Sequence, residues 1–164
     1  MNEESALKDE ITQKIGVLTR RETEARILIP FFKALCEKFG KDEIVPLLEN
    51  TIMNISRTQG AELSNKYGSS VDSFLETLQF WTQDGALEIE VLEKNEEKLD
   101  FNVTRCKYAE MYTALGIPDL GALLSCNRDA AMIEGFNPKA TLDRKTTIMS
   151  GGKCCTFRYT FGEK

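Results

Sequence analysis

The apolar period of this chain changes once, near residue 85, and that change limits the folds open to it. Before it, apolar residues recur every three or four positions. Ala25, Leu28, Ile29, Phe32, Leu35, Cys36 and Phe39 mark one such stripe, which predicts helix over residues 5 to 39. Pro30 lies inside the run and is expected to kink or divide it. Gly40 ends it. Asp42 is the expected N-cap of a second helix with Pro46 near its first turn. Its stripe is Ile44, Leu47, Leu48, Ile52 and Ile55, and it extends to about Asn65. After a turn at Tyr67-Gly-Ser-Ser70, Val71 to Trp81 reads as a shorter helix.

Beyond residue 85 the period becomes two. Leu87, Ile89 and Val91 alternate with glutamates, and Leu99, Phe101 and Val103 alternate with Asp100, Asn102 and Thr104. Two half-buried strands joined by the charged turn Glu93 to Lys98 are expected. Cys106 to Leu115 reads as a short helix closed by Gly116. Pro118-Asp119 opens another, through about Ala131, and Gly135 to Pro138 reads as a loop. Gly151-Gly152 is a two-residue hairpin signal. It would set Ile148 opposite Cys155, Thr146 opposite Phe157, Arg144 opposite Tyr159 and Leu142 opposite Phe161. That face is apolar except for Arg144, which therefore needs an anionic partner from the protein or from a ligand. The fold class read from this pattern is α+β. N-terminal helices (about 5–82) pack on an antiparallel sheet of about four strands (about 86–161). The sheet is two hairpins separated by two short helices, all in one domain spanning 1–164.

The 164 residues contain no histidine and five cysteines. Triads and dyads built on histidine, and histidine-ligated metals, are thereby excluded. Thiol, carboxylate, Lys, Tyr and Arg groups remain. The net charge of −5 opposes a phosphate backbone, so no nucleic-acid partner is expected. The start Met1-Asn-Glu-Glu4 is acidic and polar, no run suits a membrane span, and the cysteine number is odd. These features lead to the expectation of a cytoplasmic protein with reduced thiols and no membrane partner. A homo-oligomer is left open. Zinc sites pair close cysteines, whereas Cys106 and Cys126 are twenty apart and Cys154 and Cys155 alternate across a strand. No metal and no cofactor are expected.

Four segments together resemble one family. They are Cys106-Lys-Tyr-Ala-Glu-Met-Tyr-Thr-Ala-Leu-Gly116; Leu124-Ser-Cys-Asn-Arg-Asp129; Phe136-Asn-Pro138; and Leu142-Asp-Arg-Lys-Thr-Thr-Ile-Met-Ser-Gly-Gly-Lys-Cys-Cys-Thr-Phe157. In order and spacing they are similar to the L-2-amino-thiazoline-4-carboxylic acid hydrolases. Arg21-Glu-Thr-Glu-Ala-Arg26 resembles that family's first helix, so the likeness covers roughly residues 20 to 161. A more distant resemblance is to 4-vinyl-reductase-type ligand-binding domains. The first implies opening of a small cyclic amidine carboxylate by water to a carbamoyl-cysteine. The second implies a binding or sensing domain that uses the same pocket without turnover.

The chemistry asks for three roles. Arg144 suits the substrate carboxylate. Asp129 suits the amidine, or is simply the internal partner of Arg144. The nucleophile is water activated by a carboxylate, or a thiolate from Cys106 or Cys126. Cys106 ranks first because a strand-to-helix junction is expected to lower its pKa. Residues near Arg144, Cys155 and Tyr159 are expected to floor the pocket, and Tyr108 is a further candidate contact for the substrate that also reads as core packing with a polar tip. Cys36 reads as packing and Cys154 as a bystander. Arg20, Arg21 and Arg26 read as solvated charges, with Arg21 or Arg26 able to close a pocket against the sheet.

Overall fold

A computed structural model describes residues 10–162. Residues 5–9 of the expected first helix lie outside the described range. Two long helices come first: α1 (Ile11–Phe39) and α2 (Lys41–Tyr67). The short α3 (Val71–Thr77) and α4 (Gln79–Thr82) follow. The strands β1 (Leu87–Lys94) and β2 (Lys98–Cys106) form the first hairpin. Then come α5 (Lys107–Ala114), α6 (Pro118–Gly121), a π turn (Ala122–Cys126) and α7 (Arg128–Phe136). The strands β3 (Thr141–Asp143) and β4 (Cys155–Thr160) end the described fold. The sheet is antiparallel with order β1-β2-β4-β3. The α+β class and the helices-then-sheet order are as the period change implies.

The first helix does divide, but at Gly16 rather than at Pro30. Gly16 has φ 71° and ψ 165°, a combination open to glycine and costly for other residues. Pro30 stays inside α1 on its exposed side. There the carbonyl freed by the missing N–H can meet water, so the helix tolerates it. Asp42 lies in the first turn of α2, and Gly40 takes the N-cap position without a side-chain cap. The Val71–Trp81 helix is interrupted at Leu78, and the run from Pro118 continues to Phe136. Gly135, read from sequence as loop, is inside α7.

Two apolar clusters meet at the sheet. One joins Phe74 of α3 and Met132, Ile133 and Phe136 of α7 to Leu99, Phe101, Val103, Cys155 and Tyr159 of the strands. The other joins Val17, Ala25 and Ile29 of α1 to Ile52, Tyr108, Tyr112 and Leu124. Helices α2 and α7 cross at very short range. Their contact is built from Ser56 and Gly60 on one and Ala131 and Gly135 on the other, each pair four residues apart and so on one helix face. The Ser56 hydroxyl donates to the Arg128 carbonyl at 2.9 Å across this crossing. The crossing thus sets where the first turn of α7 stands over the sheet.

The last hairpin differs from its expected register by two residues. Leu142 faces Tyr159 instead of Phe161, and Asp143 faces Arg158. The turn is longer than Gly151-Gly152. It contains a 3-10 turn at Ile148–Ser150, with Gly151 at φ 90°. The Thr156 hydroxyl oxygen accepts from the N–H groups of Lys145 and Thr146, which would otherwise seek a ladder partner. At Ile148 the two residues expected to face each other do meet, through its N–H donating to Cys155 Sγ at 3.2 Å rather than through the strand ladder. The β3 side therefore holds two residues more than the β4 side. A slip of two leaves every side chain on its original face, so Arg144 still turns inward and lies over the Phe157 ring, 5.4 Å from its centroid.

Candidate functional site

Between the two clusters lies a cavity with about 90 Å³ open to the centre of a water molecule. A single water needs roughly 10–15 Å³ on that measure, so the space suits a small organic molecule. The sheet supplies Phe101, Val103, Cys106, Cys155, Phe157 and Tyr159. Arg21 comes from α1, Trp81 from α4 and Tyr108 from α5. The π turn gives Ser125 and Cys126, α7 gives Arg128, Asp129 and Met132, and the loop after β3 gives Arg144.

All seven site residues expected from sequence line this one cavity: Cys106, Cys126, Asp129, Arg144, Tyr108, Cys155 and Tyr159. Cys36 and Cys154 do not line it. Arg144 is held on three sides. Its Nη1 donates to Asp129 Oδ2, its Nη2 donates to the Cys126 carbonyl at 2.8 Å, and Phe157 lies beneath it. The π turn shapes this corner. The Asn127 N–H reaches back five residues to the Ala122 carbonyl at 3.0 Å, an insertion often found where a helix carries functional groups. Tyr108 donates to the Trp81 carbonyl at 3.1 Å, and the Tyr112 hydroxyl pairs with Ser125 at 3.1 Å. Tyr159 is 3 % exposed, and its hydroxyl makes no hydrogen bond among the described residues.

Burial controls the titration of the site. Desolvation pushes the Asp129 carboxyl up to about 6, against the pull of Arg144 beside it. A quarter of the Asp129 side chain is accessible, and it opens onto the cavity. The thiols move the same way. Burial pushes Cys106 up to about 11, although it is the N-cap of α5 and the N–H groups of Ala109 and Tyr108 favour its thiolate. Burial, then the charge of Asp129, pushes Cys126 up to about 12, and burial raises Cys155 as well. The lowered thiol pKa expected at the strand-to-helix junction is therefore corrected, because desolvation of the anion outweighs one turn of helix dipole. All three are protonated thiols at neutral pH. Iodoacetamide at about pH 7.5 is expected to leave Cys106, Cys126 and Cys155 largely unmodified in the native protein, with peptide mass spectrometry as the readout. Rapid native labelling of Cys106 would contradict that electrostatic picture. Among the described residues no group of His, Cys, Asp or Glu side chains is arranged to hold a metal ion.

The cationic side of the cavity was not assigned from sequence. Arg21 is 4 % exposed and donates through Nη1 to Glu24 at 2.7 Å. Arg20 donates to the same carboxylate at 2.8 Å, and Arg128 stands 3.8 Å from it. Burial alone would raise Glu24, but Arg21, Arg20 and Arg128 together hold it below the usual carboxylate range. Burial, and then repulsion from Arg21, lowers Arg128 to about 10. The only hint in the sequence was that Arg21 could close a pocket. Arg128 stood unnoticed beside Asp129.

An antiparallel sheet packed against helices, with a carboxylate and three arginines lining a partly open cavity between them, defines the class: an α+β domain with a pocket between helices and sheet. The model of the L-2-amino-thiazoline-4-carboxylic acid hydrolases matches residues 20–159, and the chain belongs to that family. No curated protein sequence matches it. Among solved structures, the phenol-responsive sensory domain of the transcription activator PoxR with phenol is similar, with a TM-score of 0.53 at 13 % identity. That likeness covers 88 % of this chain and 75 % of the other, and it is a likeness of fold. Among the described residues no helix is long and apolar enough to cross a membrane.

Proposed function

We propose that the protein hydrolyses L-2-amino-thiazoline-4-carboxylate or a closely related small cyclic amidine carboxylate. The observation that carries this reading is the one carboxylate that lines the cavity among the described residues, Asp129, oriented by Arg144 and raised to about 6. Such a group is mostly ionised at neutral pH yet basic enough to accept a proton from water. Water attacks the amidine carbon and gives a proton to Asp129. The new C–O bond forms as the C=N electron pair moves to the ring nitrogen. The ring C–S bond then breaks as the carbonyl forms, Asp129 returns its proton to the leaving sulfur, and the second proton of the water passes to the ring nitrogen. The product is a carbamoyl-cysteine with a free thiol. Arg144 positions the base and supports its charged form. Cys106, Cys126 and Cys155 serve as neutral walls. A thiolate attack would begin from protons held at about 11 and 12 on Cys106 and Cys126, and transfer to Asp129 would run steeply uphill.

The pH dependence follows from Asp129. The base form rises with pH, so kcat/KM is expected to climb through about pH 6 and level off above it. A profile flat from about pH 5 to pH 7 would remove Asp129 as the base. The effect on folding runs the other way. The pKa is raised above the value of 3.8 for a free side chain. The stability contribution of neutral Asp129 is therefore full below about pH 4 and lost as pH rises through about 6.

The second reading is a sensing domain that binds the same class of ligand without consuming it. Its support is the likeness of fold to the phenol-responsive domain of PoxR. Incubation with the thiazoline, followed by chromatography and mass spectrometry, separates the two. A product heavier by one water supports hydrolysis. Saturable binding with the ligand recovered unchanged supports sensing.

A further inference from the structure

The charges around the cavity do not balance. Among the described residues its lining holds Arg21, Arg128 and Arg144 against Asp129. Counting Glu24 immediately behind, three guanidinium groups still face two carboxylates among the described residues. Buried charge is costly when unpaired. Arg128, held below its usual pKa by burial and by repulsion from Arg21, carries that cost visibly.

The three lining arginines are not equally free. Arg144 spends both Nη atoms on Asp129 and the Cys126 carbonyl. Arg128 donates Nε to the Leu124 carbonyl at 2.7 Å and Nη1 to Gln59 at 3.4 Å. Arg21 makes one hydrogen bond among the described residues, from Nη1 to Glu24. No buried side-chain nitrogen or oxygen among them lacks a partner. The remaining N–H groups of Arg21 must therefore border open space, although the residue is 4 % exposed. Arg21 also stands in the wall between the cavity and a wider open cleft of about 630 Å³, sharing that position with Val17, Trp81 and Met132. Among the described residues, Arg21 is the one charged residue common to the linings of the cavity and the cleft.

We infer that Arg21, with Arg128 behind it, forms the carboxylate-binding end of the cavity and so selects anionic heterocycles over neutral ones. Arg128 and Asp129 are neighbours in the first turn of α7 and diverge by about 100° around it. One anchors toward α1 and α2, the other toward the loop that carries Arg144. Arg21, with donors to spare, and Asp129, paired with Arg144, thus face one cavity from α1 and α7, which suits a ligand carrying a carboxylate and an amidine. This assignment rests on the proposed substrate class. It replaces Arg144, expected from sequence as the carboxylate anchor, with a residue that still has donors to offer.

The test is calorimetric titration with L-thiazolidine-4-carboxylate and with thiazolidine. Their saturated rings lack the electrophilic carbon, so neither is opened. Wild-type protein is expected to prefer the carboxylate by roughly ten- to a hundredfold. R21M is expected to erase that preference while leaving thiazolidine binding unchanged. E24Q, which releases Arg21 from its partner, is expected to widen the preference, and it decides the matter if R21M does not fold. A wild-type preference retained in R21M, a preference unchanged or reduced in E24Q, or no preference in wild type would overturn the inference. Aminothiazoline opening is followed separately. A protein that discriminates through Arg21 but opens no ring keeps this subsite and loses the hydrolase reading. A protein that opens the ring with discrimination untouched by R21M does the reverse.

Discussion

Asp129→Asn is expected to reduce opening of the aminothiazoline by roughly 10²–10⁴-fold, the usual span for loss of a positioned base. Asparagine keeps the shape of the side chain and one acceptor for Arg144, so the corner between the π turn and the β3–β4 loop should persist. What it removes is the group able to hold a proton between attack and sulfur departure. The two sulfur variants make the contrast. Cys106→Ser and Cys126→Ser should retain turnover within a few-fold, since both thiols are protonated in the site. Steady-state kinetics on the three variants, with thermal melts to verify folding, decides between water and thiolate attack. Full activity in D129N with none in C106S would transfer the nucleophile's role to Cys106.

The second large effect is on stability. A Cβ built on Gly135 would lie 2.0 Å from the Arg57 carbonyl oxygen, and one on Gly60 would lie 2.2 Å from that of Met132. Both obstacles are backbone atoms, which cannot rotate aside as a side-chain tip would. Either G135A or G60A must therefore push α2 and α7 apart. Each is expected to cost about 3 kcal/mol or more, the upper end for overpacking, which lowers the melting temperature by about 6–12 °C in a domain of this size. Separation would also strain the Ser56–Arg128 hydrogen bond and shift Asp129, so activity should fall in whatever fraction remains folded. Gly151→Ala provides the comparison. Its Cβ would meet nothing within 4 Å, and the cost is limited to its positive φ, about 1 kcal/mol. Equal melting temperatures for G135A and wild type would refute the tight crossing.

Much of the fold was legible because local patterning is strong here. Leu99, Phe101 and Val103 alternate so regularly that their strand and its buried face follow directly, and all three are buried. Arg144 was recognisable as the one charge on an apolar face, and that survived a two-residue register slip because side chains alternate with a period of two. Asp129 was open to two readings, the substrate's amidine or the internal partner of Arg144, and the structure pairs it with Arg144. The break open at Pro30 does not occur, because proline breaks a helix according to what surrounds the freed carbonyl, and exposure is not written in the sequence. Gly135 was misread because a glycine for a loop and a glycine for helix contact look alike until the second helix is in place.

By itself, then, the sequence determined the α+β order, the inward-facing residues of β2, and membership of the hydrolase family through residues 20–159. Only the tertiary structure decided what the site is chemically. It placed β4 between β2 and β3, and it set Arg21 beside Arg128, more than a hundred residues away along the chain. It also reversed the expected thiol pKa values. These are properties of distance and desolvation, which depend on which surfaces exclude water together. A local sequence pattern encodes the period of each element, but not that shared burial.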